Sequence, residues 1–354
     1  MKILIASNKN SYINPYVSTL ANGLSDQGLD VVCSIEEFWK NACKYDLVHI
    51  QWPNLLEKEM DEYGDNLNAV LQKLKKQRIP IVVTLHNLVP HYSSNKKMYN
   101  AYDLVYRNAD CFIHLGKNSI PLLQEQIPEI QAKHFVIPHH TYDEIYKMNV
   151  DRLVARHKLG VPLDAKCILC FGSFRDDEER DLVLNLRKRL DRSYYFLMPG
   201  FYRGKILRKN IIKSIKTLWL TIKYQIIAWK NNLHVSHKYI SDEDVPFYMA
   251  SADVLLVQRL KILNSGNISL AILAGIPVVG PNVGNVGWML QQSGNKCFNV
   301  KNTDELPRII ENAVCDSCIG KSNKFFAEKN LSTSFVAKET KLVYEQMVRE
   351  LKNI

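Results

Sequence analysis

The chain reads as an α/β protein of two doubly wound, Rossmann-like domains facing a central cleft. Three observations predict this: its length, the alternation of short apolar runs with amphipathic helical stretches, and the polar, small residues gathered just past the ends of those runs. With 354 residues it exceeds the roughly 250 to 300 over which one core usually grows, so two domains are expected. A content of 46% hydrophobic and 23% charged residues excludes a largely disordered, collagen-like or coiled-coil chain.

The elements follow in order. Residues 2–6 form an apolar first strand that gives way to polar residues too soon for a signal-peptide core. Residues 15–27 form a helix with Val17, Leu20, Ala21 and Leu24 on one face, and 29–34 and 46–51 form the next strands. A helix over 67–77 and strands over 79–85, 109–114 and 135–137 complete a first domain, 1–148. The second domain, 149–332, has strands at 166–171, 194–198, 233–235, 254–257 and 277–279. Residues 138–146 read as the hinge, and a last helix near 333–354 is expected to pack back on the first domain. No uninterrupted apolar run reaches the roughly 18 residues of a spanning helix, which points to a cytoplasmic protein. Most of the eight cysteines lie in strand-like stretches and read as reduced core thiols. The CxxC pairs Cys167/Cys170 and Cys315/Cys318 stand far apart, and the first lies in a strand where i and i+3 face opposite ways, so no metal site is expected.

In open α/β sheets ligands bind beyond the carboxyl ends of the strands. Two such ends, His49-Ile-Gln-Trp-Pro53 and Thr84-Leu-His-Asn-Leu-Val-Pro-His91, bring imidazoles, an amide and an indole together. These groups suit a sugar: amides and imidazoles bond hydroxyls, and an indole face covers the C–H side of a pyranose. In the second domain, Asn264-Ser265-Gly266-Asn267 runs into a helix whose N-terminal N–H groups suit a diphosphate. No Walker lysine follows, which excludes a P-loop. Phe171-Gly-Ser-Phe-Arg175 adds Ser173 and a guanidinium able to pair a phosphate.

Together with Asn14-Pro15-Tyr16, the opening Ser251-Ala-Asp253 and the stretch from Ser265 to Pro277, these motifs resemble GT-B fold glycosyltransferases, particularly family-4-like enzymes of bacterial exopolysaccharide and capsule assembly. The resemblance implies an N-terminal acceptor domain and a C-terminal domain for a nucleotide-diphosphate sugar, GDP- or UDP-linked, with no cofactor and no metal. It implies that His86 lies beside the transferred sugar, and that Ser173, Arg175, Asn264, Ser265, Gly266 and Asn267 hold the donor. Asn14, Tyr16, Trp52, Asn87 and His91 are the acceptor candidates. His86 and Glu144 are the catalytic candidates, with His91 and Asp143 as further possible bases. Two departures stand out. Ile262 and Leu270 occupy the positions of two family glutamates, and Glu178 that of a lysine, leaving Arg180 or Lys261 as substitute cations.

The net charge of +10 is concentrated. Residues 202–232, inserted after the second strand of the donor domain, hold eight Lys or Arg and no acid, which leaves +2 for the other 323 residues. On a helical wheel the lysines, Lys209, Lys213, Lys216 and Lys223 among them, span an arc of roughly 140°, and Leu218, Ile222 and Trp229 cluster elsewhere. With Trp219 nearby, this pattern suits the surface of an anionic bilayer; a core-facing apolar stripe with solvated lysines is the alternative. No nucleic-acid motif accompanies it. The expected function is transfer of a hexose to a lipid-linked or growing surface glycan, at the inner face of the plasma membrane. A non-catalytic membrane-bound partner of another transferase and a sugar-nucleotide epimerase of the same fold are the alternatives.

Overall fold

The computed structural model describes residues 1–8, 15–56, 66–90, 96–201, 211–231, 233–235 and 240–352, without the side chains of 211–217, 220, 231 and 352. The chain divides into two compact units, Met1–Glu144 with Lys329–Ile354, and Ile145–Glu328. The division falls a few residues before 148 and 332.

The first unit holds six parallel strands: β1 Lys2–Ala6, β2 Asp30–Cys33, β3 Leu47–Ile50, β4 Ile81–Leu85, β5 Cys111–His114 and β6 Lys133–Val136. They lie in the order β2-β1-β3-β4-β5-β6. β3 and β4 are buried along their whole length, as expected of parallel strands covered by helices on both faces. The helix Thr333–Lys352 packs on the helix Tyr16–Asp26, and Gly23 permits the approach. A Cβ on Gly23 would stand 3.0 Å from both Ala337 Cβ and Thr333 Cγ2. Asp143 anchors the start of the terminal helix: its Oδ1 accepts from the Thr333 N–H (3.0 Å) and the Thr333 hydroxyl (2.6 Å). That carboxylate caps a helix, which corrects the expectation that it serves as a base.

The second unit holds β7 Lys166–Leu169, β8 Tyr194–Met198, β9 Leu233–Val235, β10 Val254–Leu256, β11 Val278–Pro281 and β12 Lys296–Phe298, ordered β12-β11-β10-β7-β8-β9. β12 is missing from the sequence-based scheme because three residues beginning with lysine carry no periodic signal. Arg156, on the helix Arg152–Leu159, is 1% exposed. Its guanidinium donates to the carbonyls of Ser251, Pro162, Leu163 and Ala165 and to Asp253 Oδ2 at 2.7 Å. Cys111, Cys167 and Cys170 are core thiols, but Cys315 and Cys318 are exposed. Among the described residues no helix is long and apolar enough to cross a membrane.

Candidate functional site

Each sheet reverses its strand order once, and a crevice opens between the two loops that leave in opposite directions at that point. In the second unit the reversal lies between β7 and β10. The loop after β7 turns at Gly172, whose φ of +91° is left-handed, so the position favours glycine. Ser173 is exposed and forms a parallel bridge with Gly200, while Phe174 is buried edge-to-face on Phe201. The Arg175 N–H donates to Glu179 Oε2 (2.9 Å), and Asp176 caps the helix Asp177–Arg189 through the Glu179 N–H (3.0 Å). Burial pushes the Glu179 carboxyl up, against the pull of the Arg175 N–H and the charge of Arg259.

Two other helices begin at this end of the sheet, Gly266–Ala274 after β10 and Gly284–Gln292 after β11. Neither has an acid in its first turn, and neither N-cap residue, Ser265 or Val283, caps its helix through its side chain. The start of the helix Gly266–Ala274 therefore keeps a positive field for an anion, unlike the helix behind Asp176. Two asparagines tie the loops together. Asn267 Nδ2 donates to the Phe171 carbonyl (2.8 Å), joining the β10 loop to the β7 loop. Asn285 Nδ2 donates to Asn264 Oδ1, and its N–H to the Leu263 carbonyl, both at 2.8 Å. Gly284, at φ +49°, lies so near this loop that a Cβ would stand 2.8 Å from the Ile262 carbonyl. Asn264, Ser265, Gly266 and Asn267 are all half-buried in this arrangement.

Gly284 and Asn285 were not among the expected site residues, although the run Gly-Pro-Asn-Val-Gly-Asn after a strand is the signal that marks them. Arg259, also unforeseen, donates through Nη2 to the Ser173 carbonyl (3.3 Å). Of the expected substitute cations, Arg180 is committed to its own surroundings: Nε donates to the Phe201 carbonyl, and Nη1 to the Asp176 carbonyl and Asp177 Oδ1. Lys261 pairs with Glu178 at 2.8 Å, both exposed. Leu270 is buried and Ile262 half-buried, in apolar roles where the resembling enzymes carry acids.

In the first unit the reversal lies between β1 and β3. There an aromatic and imidazole cluster gathers from four chain segments. His86, past β4, stacks on Trp52, past β3, with ring centres 4.4 Å apart and planes 20° apart. One face of the indole is thus taken by imidazole, which leaves only the opposite face for a pyranose. Tyr16 meets His86 edge-on at 4.9 Å and stacks on His140 at 4.6 Å. At 2% exposure Tyr16 is the packing centre of the cluster, and its expected contact with an acceptor is corrected accordingly. His139, tilted on Tyr16, and Tyr142, in the left-handed region at φ +63°, complete the cluster.

Hydrogen bonds order these rings. His86 Nε2 lies 2.8 Å from Gln51 Oε1, which can only accept, so the neutral ring carries its proton on Nε2 and its lone pair on Nδ1. Gln51 Nε2 lies 3.1 Å from His49 Nε2, and His49 in turn meets Thr84 Oγ1 (2.8 Å) and the Tyr344 hydroxyl (2.5 Å). Tyr344 comes from the terminal helix. Burial pulls the His49 pKa down to about 3 and that of His139 to about 4. It pulls His86 and His140 well below the ordinary value, with neighbouring imidazoles adding to the effect. All four rings are neutral at pH 7, so they bond hydroxyls without bringing charge.

Asn87 is half-buried and its carbonyl accepts from the Tyr106 hydroxyl at 2.5 Å. Glu144, the other catalytic candidate, is exposed in the turn after Tyr142. Asn14, His91 and Lys209 lie outside the described residues. Lys213 and Lys216 lie on the helix Ile211–Asn231 without described side chains, whereas Trp219 and Lys223 on it are exposed.

No known protein-family profile matches the chain. A stretch of 95 residues, 25% of the chain, is 32% identical to the GDP-mannose:glycolipid 4-beta-D-mannosyltransferase of Xanthomonas campestris pv. campestris and spans 27% of that protein, about a quarter of its length. Sucrose-phosphate synthase from Thermosynechococcus elongatus superposes with a TM-score of 0.71 at 14% identity, over 99% of this chain and 100% of that one. Anabaena HepE, solved with UDP and glucose, superposes with a TM-score of 0.66 at 14% identity, over 98% and 100%. Two six-stranded parallel sheets with flanking helices, matched along nearly the whole chain, give this protein the GT-B fold of glycosyltransferases.

Proposed function

We propose that the protein is a glycosyltransferase that moves a hexose from a nucleotide-diphosphate donor to a lipid-linked or growing surface glycan, and that it acts in the cytoplasm. The observation that carries this reading is the joining, by Asn267 and Asn285, of the loops at the β7/β10 reversal around the start of the helix Gly266–Ala274, whose first turn holds no acid and no side-chain cap. In transfer, the acceptor oxygen bonds the anomeric carbon as the bond from that carbon to the diphosphate oxygen breaks. The leaving diphosphate takes the electron pair, and the acceptor proton passes to a base or to the diphosphate. Charge therefore grows on the phosphate, where the N-terminal turn of the helix Gly266–Ala274 and the guanidinium of Arg175 are the groups to meet it. His86 has the role of a neutral hydrogen-bond partner to a sugar hydroxyl, held in one tautomer by Gln51.

The mannosyltransferase relative is named for GDP-mannose and a glycolipid, which favours a GDP-linked donor and a lipid-linked acceptor here; HepE binds UDP, which keeps a UDP-linked donor next in line. The test is a panel of nucleotide sugars assayed for nucleotide release with membrane extract as acceptor source. Turnover of one GDP- or UDP-sugar supports the reading, and release from none, with active extract confirmed by a second transferase, overturns it. The apolar residues Ile262 and Leu270 favour a second reading, a fold-retaining partner that no longer catalyses. Failure to bind UDP or GDP would support that one.

A further inference from the structure

Among the described residues, the helix Ile211–Asn231 has one apolar face on the protein and another in solvent. Tyr224, Ile227 and Ala228 pack against the core of the second unit. On the other side Leu218 (54% exposed), Trp219 (62%), Ile222 (51%), Ile226 (49%) and Trp229 (84%) stand in solvent. At 100° per residue these five fall within an arc of about 100°, and from Leu218 to Trp229 they run about 16 Å along the axis. The core-facing stripe offered by the sequence as an alternative is therefore corrected: Leu218, Ile222 and Trp229 face outward.

A row of two tryptophans and three aliphatic side chains is far more apolar than the scattered exposed residues of an ordinary surface. Its borders say what covers it. Lys223 and Lys230 flank the row on one side and are exposed, with Lys223 Nζ 5.6 Å from the Trp219 ring centre. The segment 202–232 carries eight cations and no acid. Tryptophans at the level of the headgroups, aliphatic side chains below them and lysines reaching outward match the depth profile of an anionic bilayer interface. A protein partner with an apolar groove would not require so complete an absence of acid.

We infer that this outer face of the helix Ile211–Asn231 lies in the plane of an anionic membrane interface, with Trp219 and Trp229 inserted and the flanking lysines on the headgroups. The inference stands apart from sugar transfer, since it rests on a surface that the donor site does not use.

The test is co-sedimentation of the full chain with vesicles of phosphatidylcholine and of a one-to-three mixture of phosphatidylglycerol and phosphatidylcholine. Binding to the anionic vesicles, weakened at least tenfold by 0.5 M salt, together with a blue shift of tryptophan emission, is the expected result. The variant L218S/W219A/I222S/W229A should reduce partition at least tenfold while its circular dichroism and melting stay unchanged, because these side chains touch solvent. K223Q/K230Q should weaken binding to the anionic vesicles alone. Partition unchanged in the apolar variant overturns the inference. So does a concentration-dependent dimer that the same variant converts to monomer while vesicle binding is absent, which would assign the face to a second copy.

Discussion

His86 Nε2 and Gln51 Oε1 lie 2.8 Å apart at the ends of neighbouring strands, and that bond fixes the tautomer of the imidazole, with the proton on Nε2. Gln51→Leu removes the acceptor and lets both tautomers populate. A hydrogen bond to the reacting complex worth about 1.4 kcal/mol corresponds to tenfold in rate, so kcat should fall by about tenfold or more while nucleotide affinity stays unchanged. Steady-state kinetics beside nucleotide titration checks this; equal loss of both would mean that the substitution disturbs the whole unit.

The buried imidazoles make the first unit acid-sensitive. His49 is neutral in the folded state down to about pH 3, whereas in the unfolded chain it takes a proton near 6.5. Between those values the unfolded state holds more protons, so stability is complete above about 6.5 and is lost as pH falls toward 3, at up to about 1.4 kcal/mol per pH unit for each such ring. Urea midpoints should be level from pH 8 to 7 and decline below 6.5, with a shallower decline in His49→Gln. A midpoint level down to pH 5 would contradict this account.

Arg156 is sensitive to mutation because its guanidinium is buried and holds five acceptors at once. Replacement by Met takes that donor from Asp253 Oδ2 and four carbonyls, but Asp253 keeps Arg152 on Oδ1 and the Cys167 N–H on Oδ2, so the cost lies at the lower end of that for breaking a buried pair, about 3 kcal/mol. Chemical denaturation should show a loss of that size. Lys261→Ala, by contrast, breaks a pair exposed on both sides and should change stability by less than about 1 kcal/mol.

Gly284→Ala forces a Cβ toward the Ile262 carbonyl at a left-handed φ, which costs about 1–3 kcal/mol and shifts the helix N-terminus from the Asn264 loop. Nucleoside diphosphate affinity should drop at least tenfold. Gly160→Ala, also at positive φ but with open space around its Cβ, should lose stability without losing affinity.

Much of this was legible in the chain. Apolar strand runs such as Ile81–Leu85 alternate with helices of clear periodicity, and parallel sheets demand that pattern, so the two sheets and the terminal helix could be read directly. The loop at Ser265-Gly266-Asn267 was legible as the start of a helix, since small polar residues between a strand and an apolar run favour that turn. What could not be read depends on distant partners. Tyr16 looks like a surface aromatic until the imidazoles of residues 139 and 140 close over it, and Asp143 looks like a base until Thr333, 190 positions away, claims its oxygen. Tyr344 reaches His49 across 295 residues, a link no local pattern carries. The wheel of the basic helix separated lysines from apolar residues, but which apolar face met the core depended on Tyr224 and Ala228 finding Phe201 and its neighbours.

On the proposed function, the β7/β10 reversal binds a nucleoside diphosphate at the start of the helix Gly266–Ala274, with Gly284 and Asn285 holding the Asn264 loop in place. Isothermal titration of the full chain with GDP and with UDP should show saturable one-to-one binding of at least one of them, weakened at least tenfold in Gly284→Ala; no binding of either, or equal binding by the variant, would rule this site out.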